Sequence, residues 1–173
     1  MQTVTVAIAD GNSGRRKKLE QLLRGGPGIK VLDNVMNVSD TVSDREPRAL
    51  NAISVEDAVV KVSRLSPRIL FIHLDPFSNG SLTLIEALTR ECPHTFIVVL
   101  TDESVQEEQI LQALANGARG YVSHQAEPFY FLKAVRVVDR GEIWVPRRML
   151  GRMMDKVCGD ISLWGRGSLD LAS

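Results

Sequence analysis

Cysteine is nearly missing. The 173-residue chain holds two, Cys92 and Cys158, in unrelated contexts and without metal-type spacing. That excludes a disulfide scaffold and suits a reduced, cytosolic protein. Charge of one sign is also missing: Lys+Arg and Asp+Glu both number 21, for a net charge of zero. A surface that neutralises phosphates needs an excess of Lys and Arg, so nucleic-acid binding does not dominate this chain. No apolar run approaches the ~20 residues of a membrane helix, and the Met1 segment runs straight into a strand-like pattern with no signal peptide. The expectation is a cytoplasmic protein without a membrane partner. What is present is a core: 44% of the residues are hydrophobic, enough for one globular domain.

The stretch Arg68-Ile69-Leu70-Phe71-Ile72-His73-Leu74-Asp75-Pro76 organises the reading. An apolar run stops abruptly in polar residues and a loop with Pro and Gly. A buried parallel strand looks like this where it delivers a side chain to the carboxyl edge of a sheet. Similar runs occur at Val4–Ala9, Ile29–Val35, Phe96–Leu100 and, shorter, Gly120–Val122. Helical patterns alternate with them. The first follows an Asn12 or Ser13 cap and stops at Gly25-Gly26-Pro27-Gly28. The second opens on Ser54 with Asp57 three residues on. The others run from about Ser81 to Glu91, Val105 to Asn116 and Pro128 to Arg140.

Five such alternations predict an α/β fold, a doubly wound five-stranded parallel sheet with helices on both faces. A common strand order for it is 2-1-3-4-5, with the functional crevice between strands 1 and 3. Here that crevice lies between Asp10 and His73. The polar stretch 36–54, which holds Pro47, is too long for an ordinary strand–helix connection and reads as an insertion. After residue 145 an extra C-terminal helix is expected over 146–158, with Leu150, Met153, Met154 and Val157 as its apolar stripe. Residues 159–173 read as a weakly ordered tail.

The segment Ala115-Asn116-Gly117-Ala118-Arg119-Gly120-Tyr121-Val122, continuing to Gly141-Glu142-Ile143-Trp144-Val145-Pro146, resembles the response-regulator receiver domains of the NarL/FixJ (LuxR) type. The resemblance covers Val4 to about Val157 apart from the insertion, and implies a domain at 1–145 followed by a linker helix. It implies a phosphoryl group taken from a histidine kinase onto an Asp at the end of strand 3. It also implies an acidic pair for Mg²⁺ after strand 1, a Thr or Ser after strand 4 and a Lys after strand 5. In the family the receiver controls a C-terminal DNA-binding unit, which this chain is too short to hold, and dimerisation is expected by analogy.

Residue by residue, the match is incomplete. The acidic pair reads Asp10-Gly11, Thr101 matches the hydroxyl position, and His124 stands at the Lys position. The acceptor position falls on His73. Counted from His73, one deletion accounts for Pro76 and Gly80, whereas the rival acceptor Asp75 requires three. An imidazole cannot form an acyl phosphate, and a single carboxylate is a poor Mg²⁺ site. The expectation is therefore a pseudo-receiver that signals by protein contact and not by catalysis, with no cofactor. Mg²⁺ enters only if Asp75 is a conventional acceptor.

Three further readings concern side-chain clusters. His73, His124 and Asp10 together form a transition-metal ligand set, against the plainer reading of two neutral imidazoles in an inactive site. Arg15-Arg16-Lys17-Lys18 reads either as a phosphate-binding patch or, more plainly, as the solvated face of the first helix, within reach of Glu20 and Asp44. Met149, Met153 and Met154 could form a partner-binding stripe, since Met packs adaptably, with Leu150 beside them as a further contact residue. Packing of that helix on its own domain is the alternative.

Overall fold

The computed structural model describes residues 2–32, 35 and 54–155. The insertion at 36–53, the last residues of the linker helix and the tail lie outside the described residues. The elements are β1 (Val4–Ala9), α1 (Ser13–Arg24), β2 (Ile29–Val31), α2 (Val55–Leu65), β3 (Ile69–His73), α3 (Gly80–Glu91), β4 (Phe96–Thr101), α4 (Glu107–Ala115), β5 (Gly120–Ser123) and α5 (Pro128–Asp139). The sheet is parallel in the order β2-β1-β3-β4-β5, as expected.

Alternation along the strands explains why both faces are covered. Val6, Ile8, Ile69, Phe71, Val98, Leu100 and Val122 point one way, onto Leu19 and Leu23 of α1 and Phe131, Ala134, Val135 and Val138 of α5. Ala7, Leu70, Ile72, Ile97 and Val99 point the other way, onto α2, α3 and α4 through Val62, Ile85, Leu88 and Leu111. Period-2 alternation over central strands that are apolar on both faces leaves the middle of the sheet no solvated face.

Most boundaries fall within one residue of the sequence reading, and three of the differences have a clear local cause. β2 is assigned only to Val31, although Leu32 N–H donates to Val6 O (2.8 Å) and Val35 N–H to Ile8 O (3.2 Å). It is the edge strand and pairs on one side only, so its ladder is the first to become irregular. β3 ends at His73, and Leu74 continues the ladder with a single bond to Leu100 O at 2.9 Å. α4 starts at Glu107 and not at Val105, because Gln106 is its cap. The Gln109 side chain accepts from the Gln106 N–H at 2.8 Å, and Val105 sits in the preceding turn, donating to Asp102 O.

Beyond α5 the chain crosses back over the sheet edge. Trp144 N–H donates to Arg119 O (2.9 Å), and Tyr121 N–H donates to Trp144 O (3.2 Å). A Cβ at Gly120 would collide with the Trp144 carbonyl and stand 2.9 Å from the Trp144 Cβ. Gly117 has φ +123°, a left-handed value, and faces the Thr89 side chain. The Gly-rich motif and the later Trp-Val-Pro segment are thus two halves of one contact. The chain is then helical from 147 to 155. Met149 is fully buried and Met153 packs against the same core, while Leu150 and Met154 face solvent. An ion pair between Arg152 and Glu107 of α4 (2.7 Å) ties this helix to its own domain. The inward face is therefore Met149/Met153, offset from the stripe read in the sequence. Among the described residues no helix is long and apolar enough to cross a membrane.

Gly120→Ala should lower stability by roughly 1–3 kcal/mol in urea titrations, because backbone atoms cannot yield to the new methyl. Gly151→Ala, with open space around it, should leave stability unchanged or slightly higher.

Candidate functional site

Strand register assembles the site. Ala9 pairs with Ile72, so Asp10 leaves β1 beside His73. His73 pairs with Leu100 and Thr101 with Ser123, so Thr101 and His124 come next along the same edge. His124 N–H donates to Thr101 O at 2.8 Å, which fixes its position just past β5. Parallel pairing thus brings four sequence-distant residues to the carboxyl edge of the sheet.

Asp10 is 1% exposed, and its carboxylate accepts three hydrogen bonds. Arg15 grips it with a fork, Nε to Oδ2 at 3.0 Å and Nη2 to Oδ1 at 2.9 Å. Asn12 N–H donates to Oδ1 at 2.9 Å. Asn12 is also the cap of α1, its Oδ1 accepting from Arg15 N–H at 3.0 Å. The cap turns the first helical turn so that Arg15 reaches back over the strand end. Burial alone would raise the Asp10 pKa, but the Arg15 fork and the Asn12 N–H outweigh it and hold the carboxyl below its ordinary range. The same pairing raises the pKa of Arg15.

The solvated reading of the basic run is therefore corrected. Arg15 is part of the pocket, and Arg16 pairs with Glu20 at 3.7 Å as expected, while Asp44 lies outside the described residues. The signal for Arg15 was its position, three residues after a capping Asn and five after the strand-end Asp. A buried carboxylate with no acidic neighbour needs a partner.

The two imidazoles meet directly. His73 Nδ1 lies 2.9 Å from His124 Nε2, with ring centroids 5.1 Å apart and planes tilted by 43°. One of the two facing nitrogens carries a hydrogen and the other accepts it, so the pair is stable only with at least one ring neutral. Burial lowers the His73 pKa against the opposing pull of Asp10. Burial, His73 and Arg15 together push His124 down to about 4.

Asp75 lies two residues beyond β3. Its carboxylate accepts from Phe77 N–H at 2.9 Å, and its own N–H donates to the Ser81 hydroxyl at 3.3 Å. Ser81 in turn donates to His73 O at 3.1 Å. Asp10, Arg15, His73, Asp75, Phe77 and Asp102 all line one cavity of about 600 Å³. The sequence reading missed Gln109, whose side-chain amide donates to Pro76 O at 2.8 Å and ties α4 to the loop after β3.

A 2-1-3-4-5 parallel sheet with a polar pocket at its carboxyl edge, between β1 and β3, defines a receiver-type domain. No protein-family model matches the chain. The oxygen regulatory protein NreC of Staphylococcus carnosus is 30% identical over 152 residues, which is 87% of this chain and 62% of NreC. The chain thus spans less than two thirds of that relative. A LuxR-family two-component response regulator from Aurantimonas superposes with a TM-score of 0.68 at 16% identity, covering 91% of this chain and 99% of that one. The receiver domain of the response regulator NarL from Mycobacterium tuberculosis gives 0.64 at 15%, covering 82% and 100%. The chain has the receiver fold, and the relative and the solved structures it resembles are response regulators of the NarL/LuxR type.

Mg²⁺, which receivers of this family hold, is not fitted by the residues present. Gly11 stands where the second carboxylate would be, and a guanidinium already fills the fork of Asp10. A hard divalent ion wants several oxygen ligands at one point, and one Arg-bound carboxylate does not supply them.

Arg15→Ala should lower stability by roughly 2 kcal/mol in urea titrations, because a buried carboxylate loses its counter-charge while Arg15 itself is partly solvated. Asp10→Asn in the same background should recover part of the loss.

Stability should also fall on acidification. The folded His pKa values lie below the ordinary value near 6.5, so the unfolded chain binds more protons between about pH 4 and 6.5. Stability is full above that window and decreases as pH falls through it, by on the order of 1 kcal/mol at pH 5 after allowing for partial exposure. His124→Gln should flatten this slope. Asp10, whose folded pKa is lowered, adds its own loss only as pH falls below the ordinary carboxyl value of 3.8, beneath this window.

Proposed function

We propose that this receiver signals without phosphorylation, through protein–protein contacts that control transcription. The observation that carries the reading is the Arg15–Asp10 fork: a fixed cation built into the chain occupies the carboxylate that would otherwise bind Mg²⁺. The reading takes His73 as the residue in the acceptor position and His124 as the one in the Lys position. An imidazole there offers no carboxylate to form an acyl phosphate. With His124 mostly neutral, little positive charge faces a would-be phosphoryl group.

The module then works by what it touches, in a cytoplasmic setting. A second copy or another protein is the expected partner. Leu150 and Met154, exposed on the 147–155 helix, supply apolar contact. A histidine kinase is not required. DNA is reached through a domain beyond this chain. The competing reading is a conventional acceptor at Asp75, which reaches the same cavity from the loop.

Intact-mass measurement after incubation with acetyl phosphate and Mg²⁺ should show no added phosphoryl group, and beryllofluoride should leave the NMR spectrum unchanged. A stoichiometric adduct that Asp75→Asn abolishes would replace this reading with the conventional one.

A further inference from the structure

We propose that the pocket at the carboxyl edge binds a divalent transition cation of the Zn²⁺ type, held by His73 Nδ1, His124 Nε2 and an Asp10 carboxylate oxygen. The proposal deepens the phosphorylation-independent reading and rests on it, since it makes a metal the occupant of the degenerate site.

Geometry is the first argument. One ligand atom from each of the three residues lies within 4.8 Å of the other two. The facing imidazole nitrogens are 2.9 Å apart. Two nitrogens bound tetrahedrally at about 2.0–2.1 Å would stand roughly 3.3 Å apart, so the rings need to part by only a few tenths of an ångström. Both nitrogens already point at one spot, where a shared hydrogen now sits. On metal binding that hydrogen moves to the outer nitrogen of the same ring, leaving both facing lone pairs for the ion and both rings neutral.

The donor set is the second argument. Two imidazoles and one carboxylate suit a borderline transition ion and not Mg²⁺ or Ca²⁺. Water from the cavity completes a fourth position. Asp10 keeps lone pairs beyond those used by Arg15 and Asn12, and such carboxylates are ordinarily oriented by outer hydrogen bonds.

Charge is the third argument. Asp10, Asp75, Asp102 and Arg15 line the cavity on the β1–β3 side, and Arg15 and Lys18 line the one on the His124 side. The fixed charge around the three ligands is minus one, which favours a cation.

The test adds Co²⁺ to the metal-free chain and follows visible d–d absorption, with Zn²⁺ as competitor and calorimetry for stoichiometry. One equivalent with a tetrahedral spectrum, displaced by Zn²⁺, is expected. His73→Gln and His124→Gln, which preserve hydrogen bonding and are checked for folding by circular dichroism, should each weaken binding about 100-fold or more. His94→Gln, the remaining histidine, should change nothing. Binding that survives both pocket substitutions, or no spectrum in the folded chain, would overturn the metal site and leave the phosphorylation-independent reading standing. A phosphoryl adduct on Asp75 in the separate mass experiment would instead remove that reading, whatever cobalt does.

Discussion

The pocket depends on a guanidinium fork closed on a buried carboxylate. Asp10 is almost wholly removed from water, and a lone charge in that position would be costly. Arg15 neutralises it from the first turn of α1, and that turn is oriented by the Asn12 cap. Cap, helix start and strand end are thereby one unit. Because the counter-charge is covalently part of the chain, the buried carboxylate is neutralised from within the chain. The rest of the site lies beside that fork: Gly11 adds no charge next to Asp10, and two imidazoles face each other from the ends of β3 and β5.

The same edge is linked outward by polar contacts. Ser81 bonds the carbonyl of His73, and Gln109 bonds the carbonyl of Pro76, so α3 and α4 both hold the loop that follows β3. α4 is in turn tied to the 147–155 helix through Glu107 and Arg152, and that helix buries Met149 in the core. A change at His73 or Asp75 therefore has a continuous mechanical neighbour on the face where the chain leaves the domain. Whatever ligand or partner biases the pocket acts on elements that also position Leu150 and Met154.

The linker helix shows how close the sequence reading came and where it slipped. Methionines at 149, 153 and 154 signalled an apolar face, but a short helix with Leu, Met and Met in succession has no sharp period. The strap from Trp144, held against Gly120, sets its rotation and turns Met149 and Met153 inward. Likewise Val105 looked helical by type, and only the Gln106–Gln109 exchange places the true start of α4.

Strand number, order of elements and the location of the crevice were written in the sequence, because apolar runs ending in polar residues and glycine or asparagine stops are local signals. The pairing of Arg15 with Asp10, and the contact between His73 and His124 across 51 residues, belonged to the tertiary structure. A basic run on a helix looks the same whether it meets water or a buried carboxylate. Which of the two it meets is decided by the register of β1 against β3 and the angle at which a capped helix leaves the sheet.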